Sequence, residues 1–333
     1  MGYRYAVIGS GRQGTAAAYD LARFGDADSI VVADMALEQA QRAAERVNRL
    51  AGRAVARAAA VNVRDEDAVV ALLGGTGTQV FVSGVPYFFN MGLTRAALRA
   101  RASMCDFGGN TGQVRQQLAF DAEAKAAGIT LIPDCGQVPG LGTSLITYAM
   151  SLLDEPRDII MYDGGIPRYP VPPWNYILTF NIEGLSNEYF GTTLFLRDGK
   201  QIEMACFEEY ELVDFPEPIG RLEAFTTAGG TSTMPWTFEG TLRTLQNKTL
   251  RWPGHYAQWK AFNDAGLIGL EPVEVDGQRA IPRHLLHALL EPQILARPGD
   301  QDVVIVRIIA RGLKDGREHE VVVDLFDYYD EAT

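Results

Sequence analysis

The sequence predicts an α/β chain: a doubly wound parallel sheet followed by a second α+β domain with a mainly antiparallel open sheet. Three observations carry this. The first 135 residues alternate short β-rich runs with Ala-rich helix formers, whereas the runs beyond Asp158 are short and separated by Gly- and Asp-containing turns. A chain of 333 residues with 47% hydrophobic content also exceeds what one core usually organises. Two domains are expected, residues 1–135 and 136–333.

Tyr5–Ile8 is a short apolar run ended by Gly9-Ser10-Gly11-Arg12-Gln13-Gly14 and followed by the helix former Thr15–Phe24. Ser29–Ala33 is a second strand-type run, ending at Asp34. Each position has a task. Gly9 permits the tight turn, Gly11 lets backbone N–H groups approach a pyrophosphate, and Gly14 lets the helix pack on the strand; Arg12 and Gln13 lie in this turn as further expected cofactor contacts, and the helix N-terminus faces the anion. An acid at Asp34 accepts from the adenosine ribose hydroxyls and repels a 2′-phosphate. Strand, glycine turn, helix and distal acid together form a Rossmann dinucleotide fingerprint that selects NAD.

The alternation continues with helix Leu37–Leu50, strand Arg57–Val63, helix Glu66–Leu73, strand Gln79–Ser83, helix Gly92–Ala102, strand Ser103–Phe107, helix Val114–Ala127 and strand Thr130–Pro133. In such sheets ligands collect at the carboxyl ends of the strands. Val63 is therefore expected near the adenine, Ser83, Gly84, Val85 and Tyr87 near the nicotinamide ribose, and Asp106 to Gly109 near the reactive ring. Asp106 has two readings: it holds or deprotonates a substrate ammonium, or it bonds nearby backbone amides.

A Gly/Pro-rich crossing, Pro133–Gly142, leads to helix Thr143–Leu153. Strands follow at Ile159–Tyr162, Tyr176–Asn181, Thr192–Arg197 and Gln201–Cys206, with turns at Asp163-Gly164-Gly165 and Asp198-Gly199. Leu285–Leu295 reads as helix. Val303–Ala310 and His319–Phe326, joined by Gly312–Gly316, read as a closing hairpin. Ala228–Thr233 and Lys248–His255 are dense polar stretches expected to line a pocket.

Charge limits the partners. Residues 1–140 carry 14 Lys/Arg against 13 Asp/Glu, while residues 141–333 carry 16 against 29. With no basic stripe, nucleic acid is excluded as a partner, and an acidic second half suits a cationic small molecule. No 18-residue apolar run signals a membrane span. Three dispersed cysteines indicate neither a disulfide framework nor a zinc site, and scattered histidines no metal cluster, so the chain is expected to be cytoplasmic and metal-free, with Cys135 a packing residue. A long antiparallel sheet suggests pairing with a copy of the chain, as a homodimer or higher homo-oligomer.

Together, the amino-terminal fingerprint, Asp106-Phe107-Gly108-Gly109, Pro139-Gly140, Gly164-Gly165-Ile166-Pro167, Leu222-Glu223-Ala224-Phe225, Gly229–Thr233 and Lys248–His255 resemble the saccharopine dehydrogenase-like family. The nearest likeness within it is to its lysine 6-dehydrogenase branch. The resemblance implies NAD-dependent oxidative deamination of L-lysine at the terminal amine. Hydrolysis would release ammonia and a 6-semialdehyde, which cyclises to Δ1-piperideine-6-carboxylate. It further implies Asp106 at the amine, His255 or Lys248 as acid or base, Arg251 on the α-carboxylate, and Thr231 and Ser232 as donors at the same end. Saccharopine or carboxynorspermidine chemistry is the neighbouring alternative and calls for a further cation, Arg168 or Arg221. A non-catalytic NAD sensor is an alternative of another class.

Overall fold

The structure of the chain, a computed structural model, describes residues 2–331. Two compact units divide between Gly140 and Leu141, a few residues beyond the expected boundary.

The first unit runs β1 (Tyr3–Ile8), α1 (Arg12–Phe24), β2 (Ala27–Asp34), α2 (Leu37–Ala51), β3 (Ala56–Ala60), α3 (Glu66–Thr76), β4 (Val80–Ser83), α4 (Asn90–Ala100), β5 (Ser103–Asp106), α5 (Thr111–Leu118), α6 (Asp121–Ala127) and β6 (Leu131–Ile132). Its strands lie parallel in the order β3-β2-β1-β4-β5-β6, which is the doubly wound arrangement. Helices cover both faces, so β1 is buried without alternation from Tyr5 to Ile8. Ala6 and Ile8 pack with Phe81 and Leu93 on one side, and Val7 packs with Val32 and Ala18 on the other. The order of strands reverses between β1 and β4, and there the turns after both strands meet. The single helix expected over Val114–Ala127 is two helices, α5 and α6, broken at Ala119-Phe120.

The second unit runs α7 (Gly142–Ser151), β7 (Glu155–Pro167), α8 (Ile182–Glu188), β8 (Thr192–Arg197), β9 (Lys200–Ala205), β10 (Glu211–Asp214), β11 (Arg221–Phe225), α9 (Met234–Phe238), β12 (Thr244–Arg251), α10 (His255–Asp264), β13 (Val273–Val275), β14 (Gln278–Ala280), α11 (Pro282–Ile294), β15 (Asp302–Lys314) and β16 (Arg317–Tyr328). Its large sheet has the order β10-β11-β12-β7-β15-β16, with β8 pairing β12 and β9. Neighbours are antiparallel except β12 and β7, so the sheet is mixed.

Four expectations change here. Asp163-Gly164-Gly165 is not a turn, because β7 runs straight through it. Gly164 is needed where a Cβ would lie 2.7 Å from the Leu250 carbonyl oxygen on the neighbouring strand, a close approach rather than a reversal. Tyr176–Asn181 is not a strand: it makes one bridge, Leu178 to Leu295, and then Asn181 caps α8. The closing turn shrinks to Asp315-Gly316, both at positive φ (50° and 72°), the geometry of a two-residue hairpin turn. Gly312 instead sits within β15, where its own Cβ would lie 2.0 Å from the Glu155 oxygen. Finally, Lys248–Arg251 belongs to a central strand, β12, buried from Leu245 to Arg251.

That last change decides the site. Successive strand side chains face opposite ways. In the register, Thr249 sits beside Asp163, Arg251 beside Glu223, and Lys248 beside Tyr162. Asp163, Asn247, Thr249 and Arg251 therefore share the face covered by α8 and α10. Lys248 and Tyr162 share the other.

Candidate active site

In the first unit, the turn after β1 has the geometry the glycines anticipate. Gly9 has φ 102°, and a Cβ there would meet the Gly84 carbonyl group at 2.6 Å and Val85 Cγ1 at 3.0 Å. A Cβ on Gly14 would lie 1.9 Å from the Gly9 oxygen, so only glycine lets α1 approach the turn. Gly11 differs: a Cβ there would meet nothing within 4 Å. Gly11, Arg12 and Gln13 are exposed at the start of α1, and Gly11 caps that helix without a side-chain hydrogen bond. An open cradle facing a thirteen-residue helix N-terminus fits a pyrophosphate.

Asp34 ends β2 with its carboxylate already oriented. Oδ2 accepts from the Ser10 backbone N–H (2.9 Å) and hydroxyl (2.8 Å), and Oδ1 accepts from the Ala36 N–H (3.0 Å). Burial pushes this carboxyl upward, but those hydrogen bonds outweigh it and hold the group below the ordinary aspartate range. A fixed carboxylate there suits a ribose diol. Asp34→Ala is expected to weaken NAD binding about tenfold, one lost charge-assisted contact, and to admit NADP. Titration with both nucleotides checks this, and an unchanged ratio of the two affinities would remove Asp34 from the ribose site.

The remaining first-unit positions divide. Tyr87 and Gly109 come together, since a Cβ on Gly109 (φ 118°) would be 3.1 Å from Tyr87 Cβ. Val63 is half-buried against the core. Ser83 is 1% exposed and donates its hydroxyl to Asn90 Oδ1 at 2.7 Å, so only its backbone and that of Gly84 remain for a ligand.

Asp106 is corrected. It is 1% exposed; Oδ1 accepts from Gly108 N–H (2.8 Å) and Asp134 N–H (3.2 Å), and Oδ2 from Gln117 Nε2 (2.7 Å). A sealed carboxylate with these three donors shapes the loop after β5 and is not placed to hold an amine.

In the second unit a polar cluster lies where apolar packing would be ordinary. Arg251, 3% exposed, donates through Nε to Tyr189 Oη (2.7 Å), through Nη1 to the Leu250 carbonyl (2.9 Å) and through Nη2 to Glu188 Oε2 (3.1 Å). Its guanidinium also lies 5.4 Å from the Tyr176 ring centroid. Asp163 accepts from Asn247 Nδ2 at 2.8 Å, and the Thr227 and Thr249 hydroxyls meet at 2.6 Å.

Burial pushes the Asp163 carboxyl up to about 6, against Asn247 and Arg251. It likewise pushes Glu188 up to about 7, with Arg251 opposing and Asp163 adding. Yet 35% of the Glu188 side chain is open. An acid both desolvated and partly open lines a recess; it is not sealed in a core.

His255 is fully buried, and Tyr189 Oη lies 2.9 Å from its Nε2. That Tyr189 oxygen also accepts from Arg251, and the histidine tautomer sets which of the Tyr189 and His255 groups donates. Nδ1 faces the Trp174 carbonyl without meeting hydrogen-bond geometry. Burial, then Arg251, holds the imidazole well below its ordinary range, so it is neutral. Glu223 accepts from the N–H groups of Gly254 (3.0 Å) and Tyr256 (2.9 Å), fixing the start of α10 and thus His255.

Among the described residues, Tyr176 Oη, Asn247 Oδ1 and His255 Nδ1 are buried without a hydrogen-bond partner. Native interiors seldom leave such atoms unsatisfied, and Tyr176 Oη, on the ring beside the Arg251 guanidinium, is one that a polar ligand or water would satisfy.

The structure thus unites Arg251 and His255 but turns Lys248 away. Lys248 Nζ pairs with Glu211 Oε1 (2.7 Å) and Glu209 Oε2 (3.4 Å) across the sheet from the recess, which corrects its reading as a candidate acid or base. The Thr231 hydroxyl, 1% exposed, donates to the Leu194 carbonyl at 2.8 Å, so it supports the chain rather than a ligand. Ser232 is buried at φ 39° in the same turn. Asp163, Glu188, Tyr189, Tyr176 and Asn247 escaped sequence reasoning. Asp163 was hidden by the Asp-Gly-Gly turn signal, and Glu188 lies in α8, between the runs Tyr176–Asn181 and Thr192–Arg197, where the sequence suggested no element. Among the described residues no cluster of metal-ligating side chains occurs, and no helix is long and apolar enough to cross a membrane.

Comparison with known proteins adds to this geometry. Residues 5–132 match the family model of the saccharopine dehydrogenase NADP binding domain, and residues 136–333 match that of the saccharopine dehydrogenase C-terminal domain. The chain is similar to carboxynorspermidine synthase of Vibrio alginolyticus, 24% identical over 287 residues, which is 80% of this chain and 66% of the relative. The enzyme of the same name from Vibrio cholerae is 23% identical over 284 residues, 79% and 65%. The chain therefore spans just under two thirds of the length of these relatives. Among solved structures, apo saccharopine dehydrogenase (L-Glu forming) from Saccharomyces cerevisiae shares the fold, with a TM-score of 0.74 at 18% identity over 99% of this chain and 86% of that one.

Proposed function

This chain belongs to the saccharopine dehydrogenase family, and on that premise we propose that it is an NAD-dependent C–N oxidoreductase that oxidises the terminal amine of a basic amino acid, L-lysine foremost, releasing ammonia and the 6-semialdehyde. The observation that carries this reading is the pair Asp163 and Glu188, held at about 6 and about 7 beside a buried guanidinium. A general base works best with its pKa near the operating pH. An ammonium has no lone pair to support a developing iminium, so the substrate must lose a proton before its carbon gives up hydride. Glu188 is the group that takes it, and Asp163 raises the Glu188 proton affinity. Arg251 uses three of its five N–H donors within the protein, which leaves donors for the substrate carboxylate. The nicotinamide dinucleotide supplies the hydride acceptor when bound. Tyr189 and His255 hold the guanidinium in place.

The test is NAD reduction by lysine and a panel of diamines across pH. For the wild type, kcat/KM is expected to rise as pH increases through about 7, because the deprotonated carboxylate is the active form, and to rise further as the ε-amine deprotonates. In Glu188→Gln the limb near 7 is expected to vanish with a loss of about 100-fold, while the amine limb stays. An unaltered lower limb would exclude Glu188 as the base.

A second reading, reductive C–N bond formation of the carboxynorspermidine type, is favoured by the names of the Vibrio relatives. It asks for a further cation at the recess. Arg168 instead bonds Gln301 (3.1 Å) and Arg221 pairs with Asp214 (2.7 Å), which supports the smaller substrate. Coenzyme oxidation with an aldehyde acid and a diamine, without lysine turnover, would establish the second reading. Coenzyme binding with no amine turnover at all would make the chain a sensor.

A further inference from the structure

Cys105 and Cys135 stand 30 positions apart in the sequence, yet the first unit brings them together. Cys105 lies on β5 in register with Ile132 of β6. The chain then bends back at Asp134 (φ 63°), and the Cys135 N–H donates to the Asp106 carbonyl at 2.6 Å. This places Cys135 beside the end of β5, with its Sγ 3.2 Å from the Ile132 carbonyl. The two thiols are in hydrogen-bond contact. Both side chains are half-buried and reduced, so neither is sealed from small solutes.

We propose that Cys105 and Cys135 form a peroxide-sensitive dithiol, a modification site in which Cys105 is the attacking sulfur and Cys135 the resolving one. In the first step the Cys105 thiolate attacks one oxygen of a hydroperoxide. The O–O bond breaks, an S–OH group forms, and hydroxide or alkoxide leaves. In the second step the Cys135 sulfur attacks the Cys105 sulfur, the S–S bond forms, and the departing hydroxide takes the Cys135 proton as water. Two thiols are oxidised by two electrons and one peroxide is reduced.

The asymmetry follows from the contact. The Cys135 S–H donates to the Ile132 carbonyl, and contact with Cys135 lowers the Cys105 thiol below its ordinary range against burial and the Asp106 charge. The same contact, with burial, pushes Cys135 upward. The product bond would tie β5 to the crossing at 134–136, the two segments that the Asp106 carboxylate already joins through Gly108 and Asp134.

The third cysteine is an internal control. Cys206 lies in the second unit, and burial pushes its thiol up to about 12. The experiment treats the intact, folded chain with hydrogen peroxide, blocks free thiols by alkylation and maps peptides without reduction. The expected product is a Cys105–Cys135 linked pair, lighter by two hydrogens and reversed by a thiol reductant, with Cys206 still alkylated. In Cys135→Ser the sulfenic acid on Cys105 is expected to persist and to be trapped by a carbon-acid probe. If Cys105 and Cys135 stay alkylatable under peroxide, or if Cys206 oxidises first, the proposal is overturned. Unchanged circular dichroism of Cys135→Ser keeps a folding defect from mimicking either outcome.

Discussion

Arg251→Met is expected to lower kcat/KM for the amine substrate by about 100-fold or more and to destabilise the second unit. Among the described residues the guanidinium is the one buried cation against Glu188, and its Nε–H also bonds the Tyr189 hydroxyl oxygen. Removing one member of a buried pair costs about 3–5 kcal/mol. Because the Glu188 side chain is 35% open and can protonate or take up water, the low end applies, about 3 kcal/mol. For a unit of this size that is a fall of roughly 6–12 °C in unfolding midpoint. Arg251→Lys separates the two roles. It keeps a cation beside Glu188 and restores part of the stability, but an ammonium cannot reproduce three directed contacts and a further fork for a carboxylate. Activity is therefore expected to stay low in the lysine variant. Recovery of wild-type kcat/KM with lysine at 251 would show that only charge matters, and the positioning argument through Tyr189 would fall.

The second large effect concerns the first unit. Gly14→Ala is expected to abolish measurable dinucleotide binding and to destabilise the unit. Its methyl group would sit 1.9 Å from the Gly9 oxygen, and since that oxygen is backbone, α1 must move away from β1. Overpacking of this kind costs about 1–3 kcal/mol, and the displaced helix no longer presents its N-terminus to the anion. Gly11→Ala is the informative companion. Its φ is −68°, and a Cβ there meets no protein atom within 4 Å. Folding is expected to be unchanged or slightly stabilised, by up to about 1 kcal/mol, while nucleotide affinity falls at least about tenfold because the methyl group occupies space meant for phosphate oxygens. Calorimetric titration and thermal unfolding of both variants check this. Full affinity in Gly11→Ala would mean that the open space serves some other purpose.

The first unit was largely legible in the sequence because its signals are local. A buried strand, a glycine turn, a helix and an acid at the end of the next strand fall within Tyr3–Asp34, and the hydrogen bonds that orient Asp34 come from Ser10 and Ala36, close in the same unit. The misreading of Asp106 has the same origin. A strand-end acid looks the same in sequence whether it faces a ligand or, as here, draws in Gly108, Gln117 and Asp134. Gln117 and Asp134 are too far along the chain for any spacing rule to connect them.

In the second unit, sequence alone determined which residues are chemically capable: Arg251 and His255 were picked out by type and neighbourhood, and the short strands by β-propensity and turns. Tertiary structure decided how they combine. Lys248 and Arg251 are three apart, and only once Thr244–Arg251 is known to be a strand does period-two geometry send them to opposite faces. Only packing of α8 over β12 sets Glu188 beside Arg251, and only register across β7 and β12 adds Asp163. The physical reason is that a side chain's identity resides in the residue, while its burial, its proton affinity and its partners are properties of atoms brought near by distant parts of the chain.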